Sequence, residues 1–274
     1  PPFFEHKSRV VYSKIESVND HEEIQHPSAK NCLNFLKIDQ GVEIHHDGDL
    51  PARSGIGSSS SFTVGLLHAI HALRYEMVTK ETLANEAIMI EQDWIGEDVG
   101  IQDQIMAAHG GLKIIEMGPK DQYSVRPMIL PPEYLKAIES HILLGFSGIS
   151  RFSTQYAKSQ IENIENGKSH QTLSEIQSLA HEALALFQKQ ANLDELGDLI
   201  DKSWKMKRSL TCDMSNSIID DVYAIAKKNG AFGGKLMGAG GGGFVMFLAP
   251  PYRHEAIQQA LSQIKVWIPF KFDM

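Results

Sequence analysis

A run of glycines and serines, Leu50-Pro51-Ala52-Arg53-Ser54-Gly55-Ile56-Gly57-Ser58-Ser59-Ser60-Ser61, passes without a break into apolar residues at helical spacing: Phe62, Leu66, Leu67, Ile70 and Leu73. That order commits the segment to a tight loop opening a helix, predicted over residues 58–75. Glycines let the backbone approach an anion and turn its N–H groups toward it. The helix adds unpaired first-turn amides and the positive end of its dipole, and serine hydroxyls add donors to phosphate or a ligand to magnesium. The run therefore reads as a polyphosphate site. A plain helix start capped by serine is the alternative, but four successive serines exceed what one cap uses. A Walker A loop is excluded because no Lys follows Gly57, and a dinucleotide fingerprint would need glycine where Ser60 stands.

The remaining composition narrows the setting. With 274 residues, 42% of them hydrophobic, the chain can bury a full core in one large domain or two interlocked lobes. A formal charge of −8, with no run of Lys and Arg, argues against a nucleic-acid surface. Cys32 and Cys212 form neither a disulfide framework nor a metal-ligand spacing, so a reducing, cytoplasmic setting is expected. No apolar stretch approaches the ~18 residues of a membrane span, so no membrane partner is expected. The chain begins Pro1-Pro2-Phe3-Phe4, without Met and almost directly before a strand, as if inside a domain.

Periodicity and turn residues predict strands over 9–18 and 41–46, with a helix over 28–38 between them, and a second helix over 80–95 capped by Thr79. Strands follow at 112–117, 123–125 and 141–146, then largely polar helices at 150–166, 170–190 and 193–208, and one at 216–229. A strand over 243–248, a helix over 253–264 and a strand over 266–272 close the chain. Strands and helices mix without strict alternation, which favours α+β.

Three further clusters could carry chemistry. Glu91 shares a helical face with Ala84, Ala87 and Ile88, and a carboxylate there needs a partner. Mg²⁺ held by one carboxylate, a hydroxyl and nucleotide phosphates is one answer, and a salt bridge to Lys or Arg is the other. Asp103 follows a hinge at Gly100 and precedes Ile105-Met106-Ala107-Ala108. It is placed either to cap a helix or to orient or deprotonate a hydroxyl. The run Gly238-Ala239-Gly240-Gly241-Gly242-Gly243 implies close backbone approach, with support of the phosphate loop or a hairpin tip as its uses. It fits a dinucleotide fingerprint literally, yet it leads into a strand and not a helix. His45-His46 and the pair His68 and His71 lack a third ligand for zinc and read as surface or packing residues.

Pro51 to Ser61 resembles motif 2 of the galactokinase, homoserine, mevalonate and phosphomevalonate (GHMP) kinase superfamily, and Gly238 to Phe244 resembles its motif 3. Ile90-Glu91-Gln92, Gln102-Asp103-Gln104-Ile105 and Gly110-Gly111 are similar to the branch that includes D-glycero-D-manno-heptose 7-phosphate kinases and related galacto- and fucokinases. The resemblance covers essentially the whole chain. It implies the two-lobe fold of that family, a ribosomal protein S5 domain 2-like lobe over 1–135 and a ferredoxin-like lobe over 136–274. It also implies ATP-dependent phosphorylation of a sugar hydroxyl, the anomeric one in this branch.

Carried over by position, the resemblance implies that Pro51, Arg53, Gly55, Ile56, Gly57, Ser58, Ser59 and Ser60 wrap ATP, that Ser59 and Glu91 hold Mg²⁺, and that Asp103 acts on the acceptor hydroxyl. Gly238, Ala239 and Gly240 would line the site floor beside the acceptor. Family members open with a strand hairpin and a glycine-rich motif ending near Gly-Thr-Asp. Its absence here implies either a missing leading stretch or a shortened homologue with an incomplete acceptor site. For the acceptor, Ser147-Gly148-Ile149-Ser150-Arg151 is the informative stretch. Arg151, with Lys207 or Arg208, would bind a phosphate already on the sugar, while solvated surface charge is the competing reading for Lys205 and Lys207. An unphosphorylated sugar such as fucose or galactose, or a non-catalytic nucleotide-binding homologue, are the alternatives.

Overall fold

The computed structural model describes residues 7–51, 54–119, 122–149, 163–164, 166, 169–210, 214–238 and 240–272. The chain forms two compact units, one of Pro1–Ala52 with Gly57–Ile115, the other of Arg53–Ile56 with Glu116–Met274. This division comes earlier than residue 135, so the segment 116–135 groups with the second unit.

In the first unit, the stretch read as one strand over 9–18 is a hairpin: β1 (Ser8–Val11) pairs antiparallel with β2 (Ile15–Val18), with Tyr12 N–H donating to Lys14 C=O. The turn sends polar Ser13 and Lys14 to an exposed tip while Val10 and Val18 both reach the core. β3 (Glu43–His45) lies parallel to β1, Val10 opposite Ile44. The crossover between them carries α1 (Pro27–Phe35), which has Pro27 in its first turn and the His26 ring accepting from Ala29 N–H. α2 (Ser58–Leu73) buries Val64, Leu67 and Ile70 at helical spacing. α3 (Lys80–Met89) is capped by Thr79, whose hydroxyl accepts from Thr82 N–H at 3.0 Å. It continues as a π-helical turn, Ile90–Trp94, closed by Ile95 N–H on Ile90 C=O, and α4 (Gln102–His109) follows.

His71, on the last turn of α2, is buried between two carboxylates: Nδ1 lies 2.8 Å from Glu76 and Nε2 2.9 Å from Glu86 of α3. Burial alone would depress its pKa, but the hydrogen bonds to Glu86 and Glu76 prevail and raise it above 6.5. A raised histidine pKa gives stability that is full below 6.5 and is lost as pH rises through the folded value. Replacing His71 with Gln should therefore lower the melting temperature most in mild acid and least at alkaline pH. Leaving the two carboxylates without the imidazolium costs about 1–3 kcal/mol at the acid end. Thermal unfolding of both proteins between pH 5 and 9 checks this, and parallel curves would refute the charged pair.

In the second unit, β4 (Lys113–Met117), inside which the two units divide, pairs with β5 (Tyr123–Pro127), and α5 (Pro132–His141) follows. A four-stranded antiparallel sheet runs β7-β8-β6-β9, from β6 (Ile142–Phe146), β7 (Gly233–Leu236), β8 (Phe244–Leu248) and β9 (Val266–Ile268). α6 (His170–Lys189), α7 (Leu193–Ser209), α8 (Ser217–Lys228) and α9 (His254–Ala260) complete the unit. The core gathers Val245 and Phe247 of the sheet with Ile219, Val222 and Ala226 of α8 and Ile257 of α9. β9 is shorter than the predicted 266–272 because Pro269 has no N–H for the ladder. β7 escapes the sequence reading because Gly233 and Gly234 carry no strand signal. They are glycines for closeness: a Cβ on Gly233 would lie 1.9 Å from the Gly197 carbonyl of α7. The predicted helix over 150–166 falls mostly outside the described residues.

Candidate active site

The predicted phosphate loop does open a helix. Gly57 stands at the N-cap of α2 with φ +72°, in the left-handed region, and no side chain caps the first turn. No serine holds the N-cap position, so the first-turn amides of α2 receive no side-chain bond from their N-cap residue. Ser58 is half-buried, Ser59 exposed and Ser60 buried. A Cβ on Gly57 would sit 3.4 Å from the Asp103 Cγ, an ordinary contact distance, so the Asp103 carboxyl lies beside the loop, and it is the left-handed φ that favours glycine here. Asp103 is not the cap of α4: Ile101 holds that position without a side-chain bond, and Asp103 lies within the first turn. Its charge still favours the helix N-terminus.

Glu91 sits in the π-helical turn, 1% exposed. Its Oε1 accepts from the Thr63 hydroxyl at 2.9 Å, and its Oε2 from Ser60 at 2.9 Å and from Gln104 Nε2 at 2.5 Å. Among the described residues no Lys or Arg forms an ion pair with it, and its partners there are neutral donors. The hydroxyls on Glu91 are those of Ser60 and Thr63, with Ser59 one position further round the helix. Gln104 belongs to the stretch read from sequence beside Glu91, without a role of its own, whereas Thr63 was not singled out, although it lies three residues after Ser60 and shares its face.

A second cluster, within the second unit, concerns the loop's leading half. Ser54 C=O accepts from Phe244 N–H at 2.9 Å, and a Cβ on Gly243 would lie 2.3 Å from that same oxygen. Gly55, φ +81°, lies against the glycine run: a Cβ on Gly238 would meet Gly55 Cα at 2.6 Å. The run is therefore packed as a backbone support against Ser54 and Gly55 and is not a free hairpin tip. Asn216 caps α8 by accepting from Ile219 N–H and also donates to Gly241 C=O, while Lys207 donates to Gly238 C=O at 2.9 Å. Gly240, φ +120°, packs on Met214.

The acceptor residues fare unevenly. Ser147 exchanges hydrogen bonds with Gly243, and Ile149 fills the space beside Gly242, so this part of the 147–151 stretch braces the glycine run. Arg208 is tied to Asp220 at 2.6 Å and Lys205 to Asp201 at 2.7 Å. Arg53, Arg151, Ala239 and Cys212 lie outside the described residues, Pro51 is exposed and Ile56 half-buried. Among the described residues there is no group of three His, Cys, Asp or Glu side chains suited to a metal, and no helix long and apolar enough to cross a membrane.

Two family models match the chain: GHMP kinases N terminal domain over residues 27–111 and GHMP kinases C terminal over 173–265. A D-glycero-alpha-D-manno-heptose 7-phosphate kinase of Campylobacter jejuni is 29% identical over 236 residues, 84% of this chain and 68% of that protein. A bifunctional fucokinase/GDP-fucose pyrophosphorylase of Arabidopsis thaliana is 26% identical over 76% of this chain, which spans 20% of its length. Among solved structures, a D-glycero-D-manno-heptose 1-phosphate kinase from Bacteroides thetaiotaomicron superposes with a TM-score of 0.76 at 20% identity, covering 98% of this chain and 81% of that one.

Proposed function

The chain belongs to the GHMP kinase family, and from that premise we propose that it transfers the terminal phosphoryl group of ATP to the anomeric hydroxyl of a sugar phosphate, D-glycero-D-manno-heptose 7-phosphate foremost. The observation that carries this reading is the position of the Asp103 carboxyl beside Gly57, which would set a base against the loop proposed to hold the phosphates. Amides at the start of α2 point their dipoles at an anion, and Asp103 orients the acceptor hydroxyl and takes its proton as the oxygen attacks. Phosphoryl transfer asks little covalent chemistry of a protein, so placement and charge stabilisation supply most of the acceleration.

Glu91 fits a hard divalent cation: it is a buried carboxylate without a cationic partner among the described residues, ringed by oxygen and amide groups. Glu91, with a hydroxyl of the Ser59–Ser60 pair, would hold Mg²⁺, which offsets negative charge on the phosphates. Gly238 and Gly243 keep the loop's leading half in place.

An unphosphorylated sugar is the second reading, favoured by the engagement of Lys205 and Arg208 in ion pairs, which removes two cations from the acceptor's phosphate. ADP release coupled to NADH oxidation, measured over heptose 7-phosphate, fucose, galactose and mevalonate, separates the readings. Heptose 7-phosphate should give the highest kcat/KM. A plain sugar in that place would establish the second reading, and ATP binding without acceptor-dependent turnover would refute both.

A further inference from the structure

Gln104 is the member of the Glu91 cluster for which the reaction itself supplies no role. It is wholly excluded from solvent, donates to Glu91 Oε2 at 2.5 Å, and leaves its own Oε1 without a partner among the described residues. An unpaired buried carbonyl oxygen costs about 1–3 kcal/mol, so stability alone would place an apolar side chain there. What glutamine offers is a donor without charge. Lysine or arginine in its place would cancel the carboxylate and occupy it, whereas an apolar residue would leave Oε2 held by Ser60 alone.

We propose that Gln104 is a positioning residue, which fixes the Glu91 carboxylate for a divalent cation while leaving its full negative charge available; this rests on the reading of Glu91 as the metal ligand. The geometry is a clamp from two helices. Thr63 of α2 holds Oε1, while Ser60 of α2 and Gln104 of α4 both hold Oε2, so donors on two helices oppose rotation of the group about its terminal bond. The same tie reaches the acceptor chemistry, because Asp103 precedes Gln104 in the first turn of α4 and faces Gly57.

Mn²⁺ tests the proposal in the whole protein, with its binding followed by electron paramagnetic resonance in the presence of a non-hydrolysable ATP analogue. Glu91→Gln should remove the protein-dependent binding. Gln104→Met, equal in length but without a donor, should raise the Mn²⁺ dissociation constant about 10–100-fold, the usual effect of losing a partner behind a metal ligand. It should raise the KM for Mg²⁺ in step while kcat at saturating Mg²⁺ changes little. Gln104→Asn, whose amide is one methylene too short to reach, should behave alike and serves if the Met variant does not fold. Unchanged Mn²⁺ affinity in a folded Gln104 variant, alongside loss in Glu91→Gln, overturns the positioning role alone. Unchanged affinity in Glu91→Gln overturns the reading of Glu91, and the proposal with it.

Discussion

Replacing Asp103 with Asn is expected to lower kcat about 10²–10⁴-fold, the range for loss of a positioned general base. Asparagine keeps the shape against Gly57 but cannot take a proton at neutral pH. Because Asp103 lies in the first turn of α4, the variant also forgoes a favourable charge at a helix N-terminus, worth about 0.3–1 kcal/mol. The fold should survive that loss. ADP release would report the fall in turnover, and calorimetric titration with a non-hydrolysable ATP analogue should show nucleotide affinity within a few-fold of the parent. Retained turnover would remove Asp103 from the reaction, and a parallel collapse of nucleotide binding would mean that it holds the loop and does not act on the acceptor.

The second large effect is steric. Gly238→Ala places a methyl group 2.6 Å from Gly55 Cα, at a residue whose φ of +75° already disfavours a side chain. The left-handed backbone costs about 1–2 kcal/mol for a non-glycine residue, and the overlap is with backbone, which cannot swing aside. A destabilisation of about 2–4 kcal/mol, near the upper range for overpacking and backbone strain, should accompany at least tenfold weaker ATP binding as the loop's leading half is displaced. Gly65→Ala is the control. That glycine lies in the interior of α2 with nothing within 4 Å of a new Cβ, so alanine there should stabilise by about 0.5–1 kcal/mol. If melting temperatures and nucleotide affinities of the two variants were alike, the supporting role of Gly238 would be lost.

Much of this arrangement was legible in the residues. Helical periodicity located α2, α6, α7 and α8 to within a few residues, Thr79 marked the start of α3, and the glycine and serine run marked the loop. Glu91 announced itself as a carboxylate on an apolar face. Its actual partners did not, because Thr63 and Gln104 are met only when α2 and α4 pack, and neither residue type signals burial. The hairpin within 9–18 was missed since no Gly, Pro, Asn or Asp marks its turn, and Ser13-Lys14 is a weak turn signal. β7 was missed for the opposite reason: its glycines look like loop, whereas they record how closely α7 approaches. His71 read as a packing residue, but Glu76 and Glu86 are separate segments that only the fold brings to its two nitrogens.

The contact between Gly55 and Gly238 also bears on how such chains can be recombined. Neither position accepts a side chain while the other keeps its place, so no compensating change at one can rescue the other by exchanging large for small. The two motifs, one near the start of the chain and one near its end, behave as a single heritable unit. A chimera joined anywhere between them will be viable only if both parents bring glycine to their half of the contact, and drift at either site is held in check by a residue that lies far away in sequence.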